Sequence, residues 1–165
     1  MSKIAPCLWF DGEAEEAARF YVSLLPDSRI DRVQKNVTDG PAGKAGTVLV
    51  VEFTLAGQRF LALNGGMRFE HSHAVSFHIA CADQAEIDRL WDALGAGGTI
   101  ERCGWLRDRY GVFWQIVPTM VSELIADPDP AKAQRVFQAL LQMVKIDIAG
   151  LERAYAGASS PQRNR

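Results

Sequence analysis

The chain is poor in cysteine, and what it has forms no pattern. Cys7, Cys81 and Cys103 are odd in number, widely spaced and without a CxxC pair. That excludes a disulfide framework and reads as reduced, buried thiols in a cytoplasmic protein, with a catalytic cysteine the less favoured alternative. Long apolar runs are missing too: none approaches the roughly 18 residues of a membrane span. The opening "MSKIAPCLWF" lacks the greasy core of a signal peptide, so neither membrane nor export is expected. Excess positive charge is also absent. Eighteen Lys and Arg stand against 20 Asp and Glu, for a net −2, and no basic cluster exists to grip phosphates. Nucleic acid is therefore not an expected partner. Walker, GxSxG and HExxH motifs are all lacking. Gly95-Ala96-Gly97-Gly98 follows a helical pattern instead of a strand, which makes it a helix stop and not a phosphate cradle. The same absence argues against a Rossmann-type methyltransferase, which wants a glycine-rich turn after its first strand.

What remains is an ordinary globular composition, 48% hydrophobic and 23% charged over 165 residues, enough for a sizeable core. "KIAPCLWF" reads as a strand ended by Asp11-Gly12. A helix is predicted from about Glu13 to Leu25, with Pro26 stopping it. "SRIDRVQKN" predicts a second strand and "VTDGPAGKAG" a loop. "TVLVVEFTLAGQRFLALNGG" alternates as a hairpin turning near Ala56-Gly57-Gln58. "AVSFHIAC" alternates again, and Asp83 with Glu86 three residues on suggests a capped helix whose stripe is Ile87, Leu90, Trp91 and Leu94. Three further strands follow. The second half thus echoes the first, with Ala14-Glu15 in one helix and Ala85-Glu86 in the other. The expected fold class is α+β: a first strand–helix–three-strand module over 1–66 and a second over 67–120. A C-terminal helical extension covers 121–156, and a disordered tail 157–165. In the extension, Ala133, Val136, Phe137, Leu140, Leu141 and Val144 are expected on one buried face, with Ile146, Ile148 and Leu151 extending the helix.

Few residues carry chemistry. His71 and His73, with Glu70, lie in "RFEHSHAV" and are weighed as metal ligands against a solvated linker, with the linker favoured. His78 stands on the mixed face of a strand beside Ser76. Arg102, Arg107 and Arg109 read as turn residues next to Asp108. The sharpest question is posed by "VFWQIVP", where Gln115 interrupts an apolar strand.

The segments "IAPCLWFDGEAEEAARFY", "VEFTLAGQRFLALNGG" and "CGWLRDRYGVFWQIVP" together resemble the PhnB-like branch of the vicinal oxygen chelate superfamily, and the similarity covers nearly the whole chain. Members of this branch are often labelled 3-demethylubiquinone-9 3-methyltransferase-like. The resemblance implies paired βαβββ modules curling around a cavity, usually in a homodimer. It also implies one divalent metal held by His, Glu or Gln from the first and last strands of each module, acting as a Lewis acid. Carried over, these positions fall on Pro6 or Cys7, on Phe60, Ala62 or Asn64, on Ser76 with His78 beside it, and on Gln115. None is a carboxylate, and a neutral amide compensates no ionic charge. The ligand set is broken, so no metal cofactor is expected, although one is not excluded. Where the branch commonly carries an acid before its "AISF", this chain has His73.

The favoured reading is a dimeric protein binding a small apolar or aromatic molecule, as bleomycin-resistance proteins of this fold bind without catalysing. Trp9, Phe60, Trp105 and Phe113 would line the cavity, with Asn64, Ser76, His78 and Gln115 orienting the ligand. The alternatives are a lyase, isomerase or dioxygenase using a metal on His78, Gln115 and Cys7; a metal-free enzyme with His78 as general acid or base; and a purely structural dimer.

Overall fold

The structure, a computed structural model, describes residues 3–157. It falls into two compact units, the first ending at Glu70 and the second beginning at His71. The first holds β1 (Cys7–Phe10), α1 (Ala14–Val22), β2 (Arg29–Lys35), β3 (Val48–Leu55) and β4 (Gln58–Asn64). Its four strands run in the order β1-β4-β3-β2, with β1 parallel to β4 and the other pairs antiparallel. The second unit holds β5 (Phe77–Cys81), α2 (Gln84–Gly95), β6 (Thr99–Ile100), β7 (Trp105–Arg107) and β8 (Phe113–Pro118). Its order, β5-β8-β7-β6, repeats the first topologically. Helices α3 (Met120–Ile125), α4 (Pro130–Gln142) and α5 (Ile148–Ala156) follow. The fold is α+β, built from two βαβββ modules and a helical extension.

Local chemistry explains the elements. The β3–β4 hairpin turns on Ala56 and Gly57, both left-handed at φ 47° and 78°, as a two-residue turn matching the strand twist demands. At α2, Asp83 accepts the Glu86 amide at 2.8 Å while Glu86 accepts the Ala82 amide at 2.7 Å, so two otherwise orphaned donors are satisfied. Helix α1 stops at Val22, short of the expected Leu25, because Ser23 and Leu24 donate to Phe20 and Tyr21 and tighten its last turn. Gly98 passes so close to β7 that a Cβ there would lie 2.0 Å from the Arg107 carbonyl oxygen. The glycine cluster therefore ends a helix and admits a strand, as its position after α2 implies.

Each sheet buries one face under its own helix. Val51, Phe53, Phe60 and Ala62 lie under α1, with the Phe53 ring 6.4 Å from that of Tyr21. Leu106, Trp114, Ile116 and Cys81 share the corresponding face of the second sheet with Ile87, Leu90 and Leu94 of α2. Among the described residues no helix is long and apolar enough to cross a membrane.

The extension departs from its expected form. Instead of running on through Ile148, α4 ends at Gln142 and α5 begins separately. The intervening carbonyls are taken by the second module: Cys103 donates to Met143 at 2.8 Å and Gly104 to Val144 at 2.9 Å. Gln84 holds the same stretch from α2, donating to Ile146 and accepting from the Ile148 amide. Only part of the α4 stripe turns inward. Val136 is fully buried with Val121, Ile146 and Leu151, whereas Phe137, Leu141 and Val144 are exposed. Val136→Ala is expected to lower stability by about 2 kcal/mol through lost burial and a cavity, measured as a reduced denaturant midpoint. Of the expected disordered tail, only Gly157, the left-handed cap of α5, lies within the described residues.

Candidate functional site

The face of the second sheet turned away from α2 gathers most of the side chains singled out in the sequence. Register pairs His78 with Gln115 and Gln115 with Trp105, while Arg107 lies opposite Phe113. Alternation along the strands therefore sets Ser76, His78, Trp105, Phe113 and Gln115 on one face. Gln115 Nε2 donates to Ser76 Oγ at 2.8 Å, which accounts for an amide in the middle of an apolar strand. His78 is exposed, and Gln115 and Trp105 are half-buried.

His73, expected in a solvated linker, folds onto this same face. Its ring centroid lies 4.1 Å from that of Phe113 and 6.2 Å from that of Trp105. Its Nε2 stands 2.9 Å from both carboxylate oxygens of Glu101, in the turn between β6 and β7. Neither periodicity nor motif marks this pair. His73 precedes its strand, and Glu101 meets it only because the β6–β7 turn returns there. The one sequence signal was the histidine standing where the branch commonly has an acid.

Beneath the face, the turn leading into β8 is organised by Asp108, 2% exposed. Its Oδ1 accepts the amides of Tyr110 and Val112 at 2.8 and 3.0 Å, and its Oδ2 accepts Trp114 Nε1 at 2.8 Å. This carboxylate, passed over in the sequence as a neighbour of turn arginines, fixes where β8 starts and so how Phe113 and Gln115 present themselves.

The remaining candidates lie in the first unit. Trp9 is half-buried on the face away from α1, its Nε1 donating to the Met67 carbonyl at 2.6 Å and its ring edge-on to Phe69 at 5.1 Å. Phe60, expected to line the cavity, and Asn64, expected to orient a ligand in it, stand instead buried on the opposite, helix-covered face. Phe60 stacks on Phe53 at 5.3 Å within the core. Asn64 Oδ1 accepts the Gly12 and Ala14 amides, each at 3.0 Å, and Nδ2 donates to Val48 at 3.0 Å. It borders a cleft of about 480 Å³ beside Asp11, Gly12 and Thr47, but its oxygen is committed to starting α1. The reason for the displacement is the strict two-residue period of β4: once Phe60 packs inward, Ala62 and Asn64 must follow, and Leu61 and Leu63 take the open face.

These placements test the metal implied by the fold. At the end of the first module the open face offers Leu61 and Leu63, which carry no donor atoms. Glu52, the carboxylate opposite Leu61, is shared by Arg59 and Gln34, both at 2.8 Å. Burial first, then Glu86, pushes the Cys81 thiol up to about 12, so it stays neutral at ordinary pH. Among the described residues no group of three or more His, Cys, Asp or Glu side chains is arranged to hold a metal ion. The residues present do not fit the four-ligand site.

Residues 2–117 match the family described as 3-demethylubiquinone-9 3-methyltransferase. A solved structure from Bacillus cereus, described as a putative 3-demethylubiquinone-9 3-methyltransferase and PhnB protein, is 36% identical. The match covers 71% of this chain and 99% of that one, with a TM-score of 0.66. Protein PA1353 from Pseudomonas aeruginosa, 22% identical over 69% of this chain and 95% of its own, shares the fold with a TM-score of 0.52. Comparison with curated proteins found no match. The matched family segment ends at residue 117, ahead of α3, so the helical extension is added to a shared core. On the match over both βαβββ modules and the likeness to the Bacillus cereus protein, the chain belongs to the PhnB-like 3-demethylubiquinone-9 3-methyltransferase family.

Proposed function

We propose that the protein is a small-molecule-binding member of the vicinal oxygen chelate superfamily, a cytoplasmic homodimer whose metal position is degenerate and whose ligand is apolar or aromatic. The ligand lies against the open face of the second sheet, on Trp105 beside Phe113, oriented by Ser76, His78 and Gln115. The observation that carries this reading is the Ser76–Gln115 hydrogen bond. The resemblance puts two metal ligands at those two positions, and here a hydroxyl and an amide satisfy each other. Such a pair can orient a polar group of a ligand on an otherwise apolar surface but offers no negative charge to a cation. Methyl transfer, which the family's name suggests, is not favoured. The strand-to-helix turns Asp11-Gly12-Glu13 and Ala82-Asp83 lack the glycine-rich phosphate or cofactor loop of Rossmann-type methyltransferases.

The test is metal content and its response to one substitution. Protein purified without chelator or affinity metal is expected to carry far less than one equivalent of zinc, nickel, manganese or iron by elemental mass spectrometry. Gln115→Glu is expected to raise divalent-metal affinity about tenfold by supplying the missing charge, read by calorimetric titration. Near-stoichiometric metal in the wild type would end the degenerate-site reading. A folded Gln115→Glu variant with unchanged affinity would remove Gln115 from the metal position.

A further inference from the structure

We infer that His73, with Nε2 held by Glu101, is the proton acceptor for a weakly acidic hydroxyl on an aromatic ligand, a phenol, seated against Trp105. This rests on the binding reading above and names the ligand class.

The tautomer follows from the partner. A carboxylate only accepts hydrogen bonds, and both Glu101 oxygens lie 2.9 Å from His73 Nε2, so that nitrogen carries the hydrogen. In the neutral ring Nδ1 is then left with a lone pair, and among the described residues no group bonds it. The imidazole lies against Phe113, 4.1 Å between ring centroids, and Phe113 is 4% exposed beneath it. Trp105, 6.2 Å from the imidazole, extends the aromatic surface, and its indole N–H has no hydrogen-bond partner among the described residues. Across the strand pair, Gln115 uses Nε2 on Ser76 and leaves Oε1 open.

The face therefore combines an aromatic floor, one donor and two acceptors. A hydrocarbon would cover these polar atoms and strip them of water without replacing its hydrogen bonds, at a cost in affinity for each. An aromatic ring bearing a hydroxyl covers the floor and pairs the polar atoms. On transfer the ligand O–H bond breaks, its proton forms a bond to Nδ1, and the electron pair stays on oxygen. The resulting imidazolium faces the Glu101 carboxylate, and the phenolate has the Trp105 N–H for a donor. Arg107, opposite Phe113 and bonded to Thr99 at 3.4 Å, adds a positive charge to the same face, and His78 is the other titratable group on it. A purely structural His73–Glu101 pair, tying the chain before β5 to the β6–β7 turn, would have no effect on the ionisation of a bound phenol.

The experiment compares para-nitrophenol, whose phenolate is read by its visible absorbance, with nitrobenzene, which lacks the hydroxyl and is read by tryptophan quenching. Both are titrated into the full-length protein and its His73→Gln, Glu101→Gln and Trp105→Phe variants at one fixed pH. The expected result is that para-nitrophenol binds about tenfold more tightly than nitrobenzene, with a larger phenolate fraction bound than free. His73→Gln should remove both differences, and Glu101→Gln should lower the bound phenolate fraction. The part of the nitrobenzene quenching that depends on the face should disappear in Trp105→Phe. If nitrobenzene binds and para-nitrophenol binds no better, or if His73→Gln leaves the phenolate fraction unchanged, the proton-acceptor role is overturned while binding at the face stands. If neither probe binds, this inference and the binding reading both fall.

Discussion

Asp108→Ala is expected to cost about 4 kcal/mol, the largest effect of any single substitution considered for this chain. Three donors lose their acceptor at once: the amides of Tyr110 and Val112 and the indole N–H of Trp114. The Val112 amide and the indole bonds are buried, and each buried donor left unpaired costs on the order of 1–3 kcal/mol. Trp114 itself is 2% exposed, so water cannot reach the indole without opening the core. Asp108→Asn keeps one oxygen but turns an NH₂ toward a donor, and about half the loss is expected. Guanidinium unfolding at unchanged m-value measures both. A loss below about 1 kcal/mol for the alanine variant would show that the turn holds β8 in place without this carboxylate.

The second large effect is expected at Asn64, where Asn64→Ala should lower stability by about 3 kcal/mol. Helix α1 has no side-chain cap from its own N-cap residue, Glu13. Its first amides instead reach across to β4: Gly12 and Ala14 both donate to Asn64 Oδ1, and Nδ2 closes the arrangement on the Val48 carbonyl. Removing the side chain leaves the buried Ala14 donor and two part-buried groups without partners. Asn64→Asp restores the acceptor, and its charge suits a helix N-terminus, so more than half of the loss should return. The same pair of variants separates two roles for this residue. A ligand-orienting Asn64 would leave the unfolding midpoint unchanged and weaken only binding; an interior cap does the reverse.

The modules were legible because their signals are local. Two-residue alternation marks β3, β4 and β5, helical spacing marks α1 and α2, and Asp83 with Glu86 marks a helix start whichever way the rest of the chain folds. The repeated order of strand, helix and three strands followed from those elements alone. Local signals also misled at two places. The apolar residues of α4 look like one face because Phe137 and Leu141 share the spacing of Val136 and Leu140, yet Val136 is buried with Ile146 and Leu151 and Leu140 packs against them, while Phe137 and Leu141 stay exposed. In β4 the alternation was visible but not its sense: nothing in "QRFLALN" says whether Phe60 or Leu61 faces the helix.

What the sequence determined by itself is therefore the set of elements and their duplicated order, since each depends on residue type and near-neighbour spacing. Tertiary structure alone decided which face of β4 is covered, how β8 is anchored through Asp108 and that α4 breaks at Met143. It also brought His73, Glu101, Trp105, Phe113 and Gln115 together. The physical reason is the same in each case. Packing commits a strand to one face, and hydrogen bonds between residues far apart in the chain form only after that commitment. Their partners are set by where the backbone returns, which no local pattern records.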